Sequence, residues 1–138
     1  MSSASIKKII PCKKSQLIEM VLDIEKYPEF VPWCIEGKIH DKSESEDLIT
    51  FNGDLKVGKS LLNETFSSHV SYYKEKDKII VTNLKGPLKH LKNEWIFKTI
   101  NNATQLEFFI DFELKNPILN SIMKKSFELG LNKIAKSF

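Results

Sequence analysis

Three histidines, two cysteines and an acidic strand are the groups in this 138-residue chain that could carry covalent or proton-transfer chemistry. His40, His69 and His90 do not fall in a metal-ligand spacing such as His-x-x-x-His, so each reads as a solvated surface group and not as a ligand. Cys34 follows Trp33 and has no histidine close by in sequence, which suits a buried, inert thiol better than a nucleophile. No Gly-x-Ser-x-Gly elbow, phosphate-cradling loop or Cys-x-x-Cys pair is present. Glu107, Asp111 and Glu113 share the side of a strand that alternates away from the apolar one, the pattern of a wet sheet surface more than of an acid/base pair. The residues therefore point away from catalysis, to no catalytic group and no metal. A cyclase-type enzyme working through a single polar pocket group is the surviving catalytic alternative.

The elements that must position these groups follow from periodicity. Residues 5–10 form a short first strand. Ser15 caps a helix reaching about Lys26, with Leu17, Ile18, Val21, Leu22 and Ile24 on its apolar stripe. Pro28 stops that helix, and residues 29–33 make one further short turn limited by Pro32. About six strands follow. In residues 47–57, Ile49, Phe51, Leu55 and Val57 point one way, with a bulge expected at Asn52-Gly53-Asp54. In residues 60–73, Leu62, Phe66, Val70 and Tyr72 share a face, and 74–78 is a turn into a hairpin partner at 79–84. Residues 93–100 place Trp95 and Phe97 on one side. In 105–114, Leu106, Phe108, Ile110, Phe112 and Leu114 face in, with Phe109 the exception. Asn116 then caps, and Pro117 opens, a helix of about 20 residues with an apolar stripe through Leu119, Ile122, Met123, Phe127, Leu131, Ile134 and Phe138. A strand, a helical segment, a run of antiparallel strands and a long closing helix make an α+β fold: a curved sheet wrapped around the C-terminal helix.

Composition sets the outer limits. The length suits one domain, residues 1–138, with a single core and room for one cavity. The formal charge is +3, and all 21 basic residues are lysines. With no arginine fork, base-specific DNA readout is not expected, while lysine still permits phosphate contacts. Two cysteines are too few for a disulfide framework and point to a reducing compartment. No apolar stretch approaches 18 residues, so no membrane-spanning helix is expected, and the broken run Ile9-Ile10-Pro11-Cys12 is no signal-peptide core.

The segment Tyr27-Pro28-Glu29-Phe30-Val31-Pro32-Trp33-Cys34, after Leu22-Asp23-Ile24-Glu25, resembles the coenzyme Q-binding START-like family, whose bacterial members include polyketide cyclase/dehydrase-like and ribosome-association toxin-like proteins. Leu84-Lys85-Gly86-Pro87-Leu88 with Leu91, Trp95 and Phe97 continues the resemblance. So do Phe112-Glu113-Leu114 with Asn116-Pro117, and the closing Ile134-Ala135-Lys136-Ser137-Phe138. The family's closing helix often runs a turn or two further, which would make this a short member or a trimmed chain. The resemblance implies a helix-grip fold with an apolar cavity between sheet and long helix. It implies ubiquinone or a related polyisoprenoid lipid as ligand, with no other cofactor, in support of respiration as a carrier or chaperone. Expected walls are Phe30, Val31 and Trp33 at the entrance, Phe51, Phe66 and Trp95 on the sheet, and Ile122, Met123 and Phe127 on the helix. The lysines and entrance aromatics suit transient contact with an anionic membrane, hence a cytoplasmic protein peripheral to the inner membrane. The rival reading is a ribosome-associated regulator of translation, its lysines at 74, 76, 78, 85, 89 and 92 meeting RNA phosphates.

Overall fold

The computed structural model describes residues 2–31, 34–59, 62–118, 120 and 121. Within these, the chain runs β1 (Ser2–Ile10), α1 (Lys14–Leu22), a 3-10 helix (Ile24–Glu29), β2 (Cys34–Glu44), β3 (Leu48–Lys59), β4 (Leu62–Tyr73), β5 (Lys78–Lys85), β6 (Leu88–Ile100) and β7 (Ala103–Leu114). The strands form one curved antiparallel sheet in the order β1-β7-β6-β5-β4-β3-β2. The first strand therefore pairs with the last, and β1 and β2 are the edges. Six strands after the helical segment match the number expected from periodicity.

Alternation builds the core. On β7 every second residue from Thr104 to Leu114 is buried, and Phe109 faces the other way. The Trp95 and Phe108 rings meet edge to face at 4.6 Å. Thr104 is wholly buried, and its hydroxyl donates to the Cys12 carbonyl (2.9 Å), fixing the exit from β1.

The helical segment departs from expectation at both ends. Lys13 and not Ser15 is the N-cap: it is extended, its N–H donates to Gln16 Oε1 (3.4 Å), and its carbonyl accepts from Leu17 (3.1 Å). The α-helix ends at Leu22 and not near Lys26. Asp23 leaves helical geometry (φ −85°, ψ 70°), and the tighter 3-10 helix follows with Pro28 inside it. Pro28 thus falls in a short turn whose next bonds run from Phe30 and Val31 to the Tyr27 carbonyl.

The reason for the break lies in Gly37. A Cβ there would stand 2.1 Å from the Ile24 carbonyl oxygen, so the 3-10 helix rests directly on the backbone of β2. A continued α-helix would swing Ile24 off that seat.

The bulge expected at Asn52-Gly53-Asp54 is absent. β3 keeps unbroken register with β4 from Leu48↔Tyr73 to Lys59↔Leu62, and His40↔Asn52, Ile39↔Gly53 and Lys38↔Asp54 pair regularly on the other side. Gly53 serves packing: a Cβ would meet Ile24 Cδ1 at 2.6 Å. The glycine makes room for the helical segment and leaves the strand straight. The irregularities in this hairpin fall instead on β2, between Cys34 and Glu36 and between His40 and Ser43, where Asp41 has φ 51°.

After β7 the chain turns as expected. Asn116 Oδ1 accepts from the Ile118 N–H (2.9 Å), and Asn120 N–H reaches the Asn116 carbonyl (3.0 Å), so Asn116 is the N-cap with Pro117 at the first helical position. The remainder of the expected long helix lies outside the described residues.

Candidate functional site

The inner face of the sheet, β3 to β7, is roofed in part by α1 and the 3-10 helix, and a cavity of about 130 Å³ lies beneath them. On the scale where a dry apolar cavity of about 150 Å³ takes up benzene, this is room for a ring-sized group. Val21, Leu22, Ile24, Tyr27 and Val31 line it from the helical segment. Phe51, Leu55, Val57, Phe66, Val70, Ile79 and Val81 line it from β3, β4 and β5, and Leu88, Leu91, Trp95, Phe108, Ile110 and Phe112 from β6 and β7. Polar atoms enter the wall at Tyr27, Ser68 and Asn93.

Two of those three are already engaged. The Tyr27 hydroxyl donates to the Val21 carbonyl, and burial pushes its pKa well above the ordinary tyrosine value. Asn93 Nδ2 donates to the Phe109 carbonyl (2.7 Å) while its Oδ1 accepts from Trp95 Nε1 (2.8 Å). That pair locks the indole against Phe108 and hides its one polar group. Apart from the Ser68 hydroxyl, the described wall is therefore hydrophobic in what it offers, although it contains amide and phenol.

Of the residues expected to line a ligand site, Val31, Phe51, Phe66 and Trp95 share this cavity. Phe30 does not line it; its ring packs edge-on to Tyr27 at 5.5 Å. The turn at Tyr27–Val31 sends consecutive residues to different sides, so Val31 takes the inward place. Trp33, Ile122, Met123 and Phe127 lie outside the described residues. Sequence reasoning passed over Tyr27, Ser68 and Asn93. Ser68 was legible: the alternation that puts Phe66 and Val70 inward must put Ser68 between them.

The candidate chemical groups are elsewhere. His40, His69 and His90 sit on the outer face, bonded to Asp54 (2.8 Å), Asn52 (2.8 Å) and Asp111 (3.2 Å). Asp54 also accepts from Ser67 (2.6 Å), and that hydroxyl leads the interactions that hold its pKa below the ordinary value. Glu107 pairs with Lys7 (3.3 Å) and Glu113 with Lys89 (3.9 Å), as a wet surface does. Cys12 and Cys34 are free and buried. Burial pushes the Cys34 thiol up to about 11, so the nucleophilic thiolate is scarce at neutral pH. Among the described residues no group of three His, Cys, Asp or Glu side chains could hold a metal ion, and no helix is long and apolar enough to cross a membrane.

Comparison with known proteins fits this architecture. The family model described as polyketide cyclase / dehydrase and lipid transport matches residues 10–138. A ribosome association toxin, RatA, of Rickettsia prowazekii is 29% identical over 134 residues, covering 95% of this chain and 89% of that protein. The mitochondrial coenzyme Q-binding protein COQ10 of Dictyostelium discoideum is 29% identical over 127 residues, covering 90% of this chain and 60% of its own length. A solved START superfamily protein from Mycobacterium smegmatis superposes with a TM-score of 0.74 at 20% identity, covering 97% of this chain and 92% of that one. The fold is START-like, as the resemblance carried by residues 27–34 implied.

Proposed function

This chain belongs to the polyketide cyclase / dehydrase and lipid transport family, and from that premise we propose that its inner cavity binds a hydrophobic small molecule, ubiquinone or a related polyisoprenoid lipid. The observation that carries the reading is the cavity wall. It is aliphatic and aromatic, and among its described residues the one ionisable side chain is Tyr27, kept neutral by burial. Such a wall repels charge and rewards apolar surface at about 25 cal/mol per Å² removed from water. Among the described residues the wall brings no carboxylate, imidazole or thiol to a bound molecule, which favours a binding role, as a carrier or chaperone, over catalysis. The likeness to a coenzyme Q-binding protein supports a quinone among apolar ligands.

The protein would meet its ligand at a membrane. Lys115 N–H bonds the Pro87 carbonyl (3.0 Å), joining the loop after β5 to the start of the last helix. Leu84 (51% exposed), at the end of β5, and Ile118 (67% exposed), at the start of the last helix, flank this junction, with Lys85, Lys89 and Lys115 close by in sequence. Apolar side chains set among cations suit transient contact with an anionic bilayer, with the protein otherwise cytoplasmic.

The test is titration with a short-chain ubiquinone, read by quenching of tryptophan fluorescence. Val81→Phe adds a ring to the wall. It should weaken binding about tenfold, roughly 1.4 kcal/mol, while the fold persists. Equal affinity in both proteins would contradict the site.

Ribosome association is the second reading, supported by the likeness to RatA across nearly the whole chain. Salt-sensitive co-sedimentation with ribosomal subunits is its mark. The two readings meet different surfaces, since the inner cavity cannot reach RNA while exposed lysines can.

A further inference from the structure

We infer that Ser68 in the cavity wall and Asn83 beside it at the cavity's edge form a polar anchor, selecting an apolar ligand whose buried end carries a hydroxyl donor; this rests on the cavity being the binding site. Ser68 on β4 and Asn83 on β5 are direct cross-strand partners. Residues opposite one another on antiparallel strands project from the same face, with Cβ atoms about 5 Å apart. Ser68 lines the cavity; Asn83 is not itself among the lining residues, but it projects from the same side of the sheet, at the cavity's edge beside Ser68. Alternation agrees, because β5 keeps regular register from Tyr72↔Ile79 to Ser68↔Asn83 and both Ile79 and Val81 line the cavity.

Asn83 Oδ1 is buried and has no hydrogen-bond partner among the described residues. A buried amide oxygen left unpaired is costly, and folded proteins seldom keep one without a use for it. The Ser68 hydroxyl likewise pairs with nothing among the described residues. The contrast with Asn93 is direct: its amide is engaged on both sides, by the Phe109 carbonyl and the Trp95 indole. The sheet thus has one asparagine that finishes its own wall and one that waits for a donor.

An acceptor needs a hydroxyl or amine hydrogen, and an amine head would arrive charged in an apolar cavity, at high cost. A hydroxyl fits, and the Ser68 hydroxyl can complete the contact by donating to the same ligand oxygen. The ligand class is therefore an apolar alcohol or phenol, which includes the reduced, dihydroxy form of a quinone. The oxidised form carries acceptors alone and leaves Asn83 Oδ1 unpaired.

The experiment uses the full chain and two probes of matched shape, para-hexylphenol and hexylbenzene, each displacing Nile red. The wild-type protein should bind the phenol about tenfold more tightly, the worth of one well-made buried hydrogen bond. Asn83→Leu should bring the two probes within about twofold while hexylbenzene still binds, and Ser68→Ala should narrow the gap part way. Equal affinity of the probes for the wild type, or a preference that survives both substitutions, overturns the anchor alone. Failure of both probes to displace the dye overturns the apolar site and the anchor with it.

Discussion

Asn83 carries a stability consequence opposite in sign to most substitutions of a buried residue. Its Oδ1 is unpaired in the free protein, so Asn83→Leu removes a cost and adds apolar contact. Urea unfolding should show a gain of about 1 kcal/mol, and a loss would mean the amide is a structural member of the sheet. The outer face gives a pH prediction. Asp54 is held below its ordinary value of 3.8, first by the Ser67 hydroxyl, so the folded state binds a proton there less readily than the unfolded chain does. Its contribution is complete above the ordinary value and is lost as the pH falls below it. Ser67→Ala should move the acid-unfolding midpoint, followed by circular dichroism, to higher pH; an unmoved midpoint would contradict the assignment. At this scale the sequence was partly legible. The solvated histidines and the inert Cys34 follow from their neighbours, but whether Asn83 or Asn93 is the satisfied amide depends on which carbonyl and indole lie across the sheet.

At the scale of elements, the seat of the 3-10 helix on β2 decides the shape of the cavity roof. Gly37 admits the Ile24 carbonyl where a methyl group would stand 2.1 Å away, and backbone cannot yield as a side-chain tip can. Gly37→Ala should destabilise by about 3 kcal/mol and lower ligand affinity, because Ile24, Tyr27 and Val31 hang from that turn. Gly53→Ala meets the movable tip of Ile24, with the Phe51 ring at ordinary contact distance (3.4 Å), and should cost less. Comparable melting temperatures for the two variants would contradict this account. Strand positions were readable because period-two burial is a local signal, and the cap at Asn116 because its chemistry is local. The end of α1 and the role of Gly53 were not, because both are set by contact between segments distant in sequence.

For the whole molecule, the sheet has two faces of different character. The outer one carries ion pairs and histidines and, on the ribosome reading, is the face that would meet RNA. The inner one closes over a cavity whose wall is apolar apart from its amide, hydroxyl and phenol groups. The α+β plan followed from helical patterns at the ends of a strand run, and the quinone expectation came from resemblance in the segment at 27–34. Periodicity alone could not separate core from cavity, since Phe66 reads the same in either.

The central claim is that this cavity holds an apolar ligand, and mass spectrometry of an organic extract of the purified protein tests it most directly. The expected result is a prenylated quinone or another isoprenoid in stoichiometric amount, depleted in Val81→Phe. An extract with no apolar molecule above the level recovered from Val81→Phe would contradict it.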